Sequence, residues 1–142
     1  CKNADSTEQK RLMKRILLLG TYIKRSVNLR FLCREYELLP QQEIRLTVDE
    51  AVRAMTACGT ECGVVYRTTG PMHATEVLRL FDLLKDVAEH AIDELQSLFI
   101  SVSDSEMDLS VECAADLSVL ATRKVTVCNE DGLWLIRTQI GG

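Results

Sequence analysis

Residues Pro71 to Leu95 read PMHATEVLRLFDLLKDVAEHAIDEL, and this stretch decides the fold. Met72, Leu78, Phe81, Leu84, Val87, Ala88, Ala91 and Leu95 recur at i, i+3, i+4 and i+7 spacing, so they share one stripe of a helix. Pro71 suits the first turn of such a helix, where its missing N–H is no loss. The opposite face carries Asp82, Lys85, Asp86, Glu89, His90 and Asp93. That polar face is the first place to look for a site, and the flanking elements read as packing partners of the helix.

Upstream, Asp5 to Leu39 reads as one long helix, capped by Asp5, Ser6 or Thr7 and ended by Pro40. Leu12, Ile16, Leu19 and Ile23 follow the spacing of a coiled-coil seam, which Val27 and Phe31 continue in four-residue steps. Leu17, Leu18, Tyr22, Leu29 and Leu32 widen the apolar surface beyond one seam. A body of this size cannot cover all of it, and pairing with a second copy is the natural remedy. Gln41 to Leu46 reads as an extended connector with Ile44 and Leu46 turned inward. Thr47-Val48-Asp49-Glu50 matches the capping box, which predicts a helix from Val48 to Ala57 that stops at Gly59. Glu61 to Arg67 is a strand candidate, rich in β-branched and aromatic residues.

After Leu95 the period changes from 3.6 to 2. Leu98, Ile100 and Val102 alternate with Phe99, Ser101 and Ser103; Asp104-Ser105-Glu106 turns the chain, and Leu109, Val111 and Cys113 alternate again. This predicts a hairpin. Ala114 to Thr122 reads as either a short helix or a loop. Lys124–Cys128 and Leu133–Ile140 predict a second hairpin, joined by Asn129-Glu130-Asp131-Gly132. The order of elements predicts an α+β architecture, with helices on one face of a mixed, mostly antiparallel sheet.

Composition narrows the function. The 142 residues suffice for one domain plus an appendage, and the 46% hydrophobic and 27% charged fractions argue against disorder. No apolar run approaches the roughly 18 to 20 residues of a membrane span, and no signal peptide opens the chain. It opens at Cys1 rather than Met, which is expected of a piece of a longer protein. Six cysteines (Cys1, Cys33, Cys58, Cys62, Cys113, Cys128) are scattered without a Cys-x-x-Cys pair, and only His73 and His90 accompany them. Reduced thiols acting as small hydrophobes fit that pattern better than zinc ligands. Residues 1–34 hold nine Lys/Arg and two acids, net +7, whereas the remainder holds eight against nineteen, net −11. The basic residues surround the first helix with little aromatic interleaving, so solvated faces and docking on the acidic body are expected rather than nucleic acid.

The ordered set of elements resembles the carboxy-terminal part of bacterial sensor histidine kinases, where a dimerisation helix leads into an ATPase domain of the gyrase and Hsp90 type. EIRLTVDEAVRAM is similar to the opening of that domain, GPMHATEVLRLFDLLKDVAEHAI to its Mg²⁺-bearing helix, and VTVCNEDGLWLIRTQIGG to its terminal hairpin. LLLGTYIKRSVNL is similar to a basic helix in a divergent branch. The resemblance implies residues 1–40 as a dimerisation helix and 41–142 as an ATPase-like domain. It places Asp86, His90 and Asp116 at the nucleotide and Mg²⁺ positions. His90 stands where an Asn would bind the metal, and Mg²⁺ prefers oxygen. ECAADLSVLATR, from Glu112 to Arg123, has no glycine where glycine-rich nucleotide loops would lie, and no phosphoacceptor histidine is recognisable.

The favoured reading is therefore a cytoplasmic, homodimeric signalling module with a degenerate nucleotide site, no cofactor and a response regulator as partner. The alternatives are a working kinase that binds Mg-ATP at an unorthodox site and a nucleic-acid-binding protein using the basic helix.

Overall fold

The computed structural model describes residues 2–91 and 93–141, with side chains from residue 6 onward, so Cys1 lies outside the described residues. The elements, in chain order, are α1 (Lys2–Glu35), β1 (Leu38–Leu39), α2 (Gln41–Ala57), β2 (Glu61–Arg67), β3 (Met72–His73), α3 (Ala74–Ala91), β4 (Leu95–Ser103), β5 (Glu106–Cys113), β6 (Val125–Glu130) and β7 (Leu133–Gln139). Strands β2, β4, β5, β7 and β6 lie side by side in that order. Only β2 and β4 are parallel, with α3 on the connection between them; the other pairs are antiparallel. This is the α+β architecture expected from the sequence.

Alternation decides which face of the sheet is covered. Leu98, Ile100 and Val102 of β4, Met107, Leu109 and Val111 of β5, and Ile136 of β7 are buried in one cluster with the helices. The other face carries Phe99 and Val65, each about half exposed. Gly63 is needed there: the Phe99 ring lies across it, and a Cβ at that position would come within 2.8 Å of the ring. The β6–β7 loop shrinks to Asp131 and Gly132, both at positive φ (53° and 88°), the geometry that suits a two-residue hairpin.

Helix α3 sits at the centre. Ala74, Val77, Leu80, Phe81, Leu83, Leu84, Val87, Ala88 and Ala91 are buried, and the Phe81 ring meets the Tyr22 ring of α1 at 5.1 Å between centroids. Helix α1 reaches the same core on one stripe only. Leu18, Tyr22 and Leu29 are 3%, 1% and 0% exposed, whereas Ile16, Ile23 and Val27 are 62–65% exposed. The two stripes lie roughly 140° apart around the helix.

Several boundaries differ from the sequence reading, for tertiary reasons. Helix α1 begins at Lys2, so Asp5, Ser6 and Thr7 lie within its first turns and not before them; it stops at Glu35 rather than Leu39. Leu38–Leu39 pairs instead with Met72–His73 in a two-stranded ladder, and the Ala74 N–H donates to the Glu37 carbonyl at 2.9 Å. That ladder draws Met72 into extended backbone and leaves Pro71 outside α3; Leu95 likewise belongs to β4. Pro40 starts the next helix rather than ending the first: its carbonyl accepts the Glu43 N–H at 3.0 Å. The segment Gln41 to Leu46 is therefore helical, and Thr47 is a buried mid-helix residue without a capping role. The ambiguous stretch after β5 resolves into a single 3-10 turn, Ser118–Leu120.

Two substitutions test this arrangement in chemical denaturation. Phe81→Ala is expected to cost about 3–5 kcal/mol, because the side chain is fully enclosed. Thr47→Val is expected to be neutral or to stabilise by up to about 1 kcal/mol, because the Thr47 hydroxyl is buried without a partner. A destabilised Thr47→Val would mean that the hydroxyl does cap a helix.

Candidate functional site

The polar face of α3 borders a cleft of about 410 Å³. One wall is Arg79, Asp82, Leu83 and Asp86 from α3; the other is Leu120 with Thr122, Arg123, Lys124 and Val125. Leu117 and Leu120 are buried in the core and anchor the second wall. Thr122 then folds that wall into a tight turn: its N–H donates to the Val125 carbonyl, and its hydroxyl accepts the N–H groups of Lys124 and Val125. The turn leaves Arg123 and Lys124 exposed at the rim.

The charges in the cleft are unevenly engaged. Arg79 is pinned: its guanidinium donates to Glu76 at 2.7 Å, to the Thr138 hydroxyl at 2.6 Å, and to the Gln139 carbonyl. Arg123, Lys124, Asp82 and Asp86 form no ion pair among the described residues. Asp86 is held above its usual carboxylate range, first by burial and then by the charges of Glu89 and Asp82.

Of the three positions singled out in the sequence, the structure brings only Asp86 into this cleft. His90 is exposed one turn further on and donates from Nδ1 to the Asp86 carbonyl at 2.8 Å, closing its own helix turn. Asp116 is exposed beyond the cleft's lining; it accepts from the Ser118 N–H at 2.9 Å and hydroxyl at 2.6 Å, which depresses its pKa. Asp116 thus shapes the 3-10 turn. Among the described residues no three His, Cys, Asp or Glu side chains converge as metal ligands. Arg123 and Lys124 escaped the sequence reading; two adjacent cations in an otherwise apolar and acidic stretch were the available signal.

The basic helix is docked on the acidic body. Arg11 donates to Asp93 at 2.7 Å, with Arg15 at 3.5 Å from the same carboxylate, and Arg25, buried, pairs with Glu50 of α2. Both partner carboxylates are held below their usual range by these guanidiniums. The five described cysteines are free: Cys113 is buried, Cys33, Cys58 and Cys62 are half-buried, and Cys128 is exposed. No helix among the described residues is long and apolar enough to cross a membrane.

No family profile and no curated protein matches the chain. Solved structures similar to it include two histidine kinases. One is the cytoplasmic segment of histidine kinase QseC, at 9% identity over 74% of this chain and 78% of that one, with a TM-score of 0.45. The other is the Acinetobacter baumannii histidine kinase AdeS, at 16% identity over 83% and 77%, with a TM-score of 0.40. Both carry the name of the family that the sequence resembles.

Titration separates the roles of these carboxylates. Glu50 and Asp93 have depressed pKa values, so their stabilisation is present above the ordinary values of 4.5 and 3.8 and is lost as pH falls through the folded-state values. Acid should therefore weaken the docking of α1, and Glu50→Gln should blunt that acid dependence in thermal melts across pH 2 to 7. Asp86 has the opposite sign: its raised pKa opposes stability above the folded-state value, so Asp86→Asn should raise the melting midpoint at pH 7. His90→Ala should shift stability by no more than about 0.5 kcal/mol, as an exposed side chain.

Proposed function

We propose that this chain is a histidine-kinase-type signalling module that acts as a dimeric relay, with a nucleotide site that has lost its function. One observation carries the reading: α1 has two apolar stripes, one buried in the body through Leu18, Tyr22 and Leu29, the other open through Leu12, Ile16, Leu19, Ile23 and Val27. A helix built this way couples its own body to a second copy, because any rotation or displacement imposed on one stripe moves the other. In this reading residues 1–40 are the dimerisation helix and 41–142 the ATPase-like body, located in the cytoplasm and answering to a response regulator, as the family resemblance implies.

The nucleotide half of the proposal rests on the cleft. The glycine-free segment is anchored by Leu117 and Leu120 rather than left as a loop that backbone N–H groups could wrap around phosphates. His90 and Asp116 are engaged by local backbone and do not face the cleft, and Asp86 is left with a like charge beside it.

Sedimentation should show a dimer that becomes monomeric with Ile16→Glu/Ile23→Glu, two substitutions on the open stripe that leave the buried stripe intact. A monomer at high micromolar concentration in the parent would count against the relay. Calorimetry with Mg-ATP should show a dissociation constant weaker than about 100 μM, which corresponds to about −5.5 kcal/mol. Tighter binding would favour a working kinase with an unorthodox site.

A further inference from the structure

We propose that the cleft between α3 and the Thr122–Val125 turn binds a small zwitterion with an apolar body, of which a free apolar amino acid is the simplest case. The inference rests on the reading above that this cleft is not a nucleotide site. Its two walls carry opposite charges that do not neutralise one another: Asp82 and Asp86 on α3, Arg123 and Lys124 on the turn. Arg79, the third cation of the lining, is already engaged by Glu76, Thr138 and the Gln139 carbonyl. Leu83 on the first wall and Leu120 and Val125 on the second are buried, so the lining between the charges is apolar.

Each simpler ligand leaves one wall unmatched. A polyphosphate or carboxylate that meets Arg123 and Lys124 sets its charge against Asp82 and Asp86. A simple amine meets the acids and leaves the two cations facing it. A molecule that carries an ammonium, a carboxylate and an apolar side chain offers each wall a group of opposite charge and the buried leucines an apolar one. The volume, about 410 Å³, lies in the range of small-molecule sites. The half-buried position of Asp86 makes its contact the more valuable one, because a charge pair is screened less there than at the open rim.

Calorimetry on the whole chain at pH 7 tests this with L-leucine as the probe, beside leucinamide, which lacks the carboxylate, and N-acetyl-L-leucine, which lacks the ammonium. L-leucine should bind measurably below about 10 mM, and each analogue should bind about threefold more weakly, within the range that one partly exposed charge contact supplies. Asp86→Asn should weaken L-leucine and leave leucinamide no stronger than L-leucine; Arg123→Gln should reduce L-leucine towards the level of leucinamide. No binding of L-leucine, or equal binding of either analogue, overturns the proposal. The Mg-ATP titration is independent of this result. If neither ATP nor L-leucine binds, the zwitterion site fails while the relay reading stands; if ATP binds tightly, the reading on which it rests fails.

Discussion

The contact between Phe81 of α3 and Tyr22 of α1 is where three bodies of structure meet. Helix α3 packs against α1 and α2 and shares one core with the inward face of the sheet, so its apolar arc has to be wide: nine of its eighteen residues are buried. What remains for a polar face is a narrow ridge through Asp82, Lys85, Asp86 and Glu89. Burial of the arc therefore sets the position of the cleft as well as the core. Burial of that ridge, and then the like charges of Glu89 and Asp82 close by, make the Asp86 carboxyl less acidic than a solvated one.

Docking of α1 is of a different quality from that of α3. The apolar part is complete, with Tyr22 and Leu29 enclosed. The polar part is not: the Tyr22 hydroxyl, Arg25 Nη1 and Ser26 Oγ on α1, and Glu43 Oε2 and Thr47 Oγ1 on α2, are buried without a hydrogen-bond partner. An unpartnered buried polar group forfeits its hydration, at about 1–3 kcal/mol each. The Arg25–Glu50 pair offsets only part of that, since burying an ion pair also has a desolvation cost.

Electrostatics reinforces the same asymmetry. A basic helix on an acidic body is drawn into contact at two places, Arg11 and Arg15 with Asp93 near one end, and Arg25 with Glu50 further along. The first is solvent-exposed and contributes little by itself; its value lies in fixing which side of α1 faces the body. With that side fixed, Leu12, Ile16, Ile23 and Val27 are turned away together.

The sequence by itself determined the elements whose periodicity reports burial on one face. Strand β2, the β4–β5 hairpin, the Asp131-Gly132 turn and the apolar arc of α3 are legible because each local choice agrees with the side that is covered. Asp86 was legible as part of a polar ridge. Tertiary structure alone decided the rest. Leu38–Leu39 and Met72–His73 are too short to show a period, and only their pairing made them strands and moved the neighbouring helix ends. Thr47-Val48-Asp49-Glu50 carries a valid capping signal, but Pro40 supplies an earlier start and the apolar face through Ile44 continues the helix through it. Which stripe of α1 is buried, and that Arg123 and Lys124 line one cleft with Asp82 and Asp86, depend on contacts between residues far apart in the chain, and local periodicity carries no record of those.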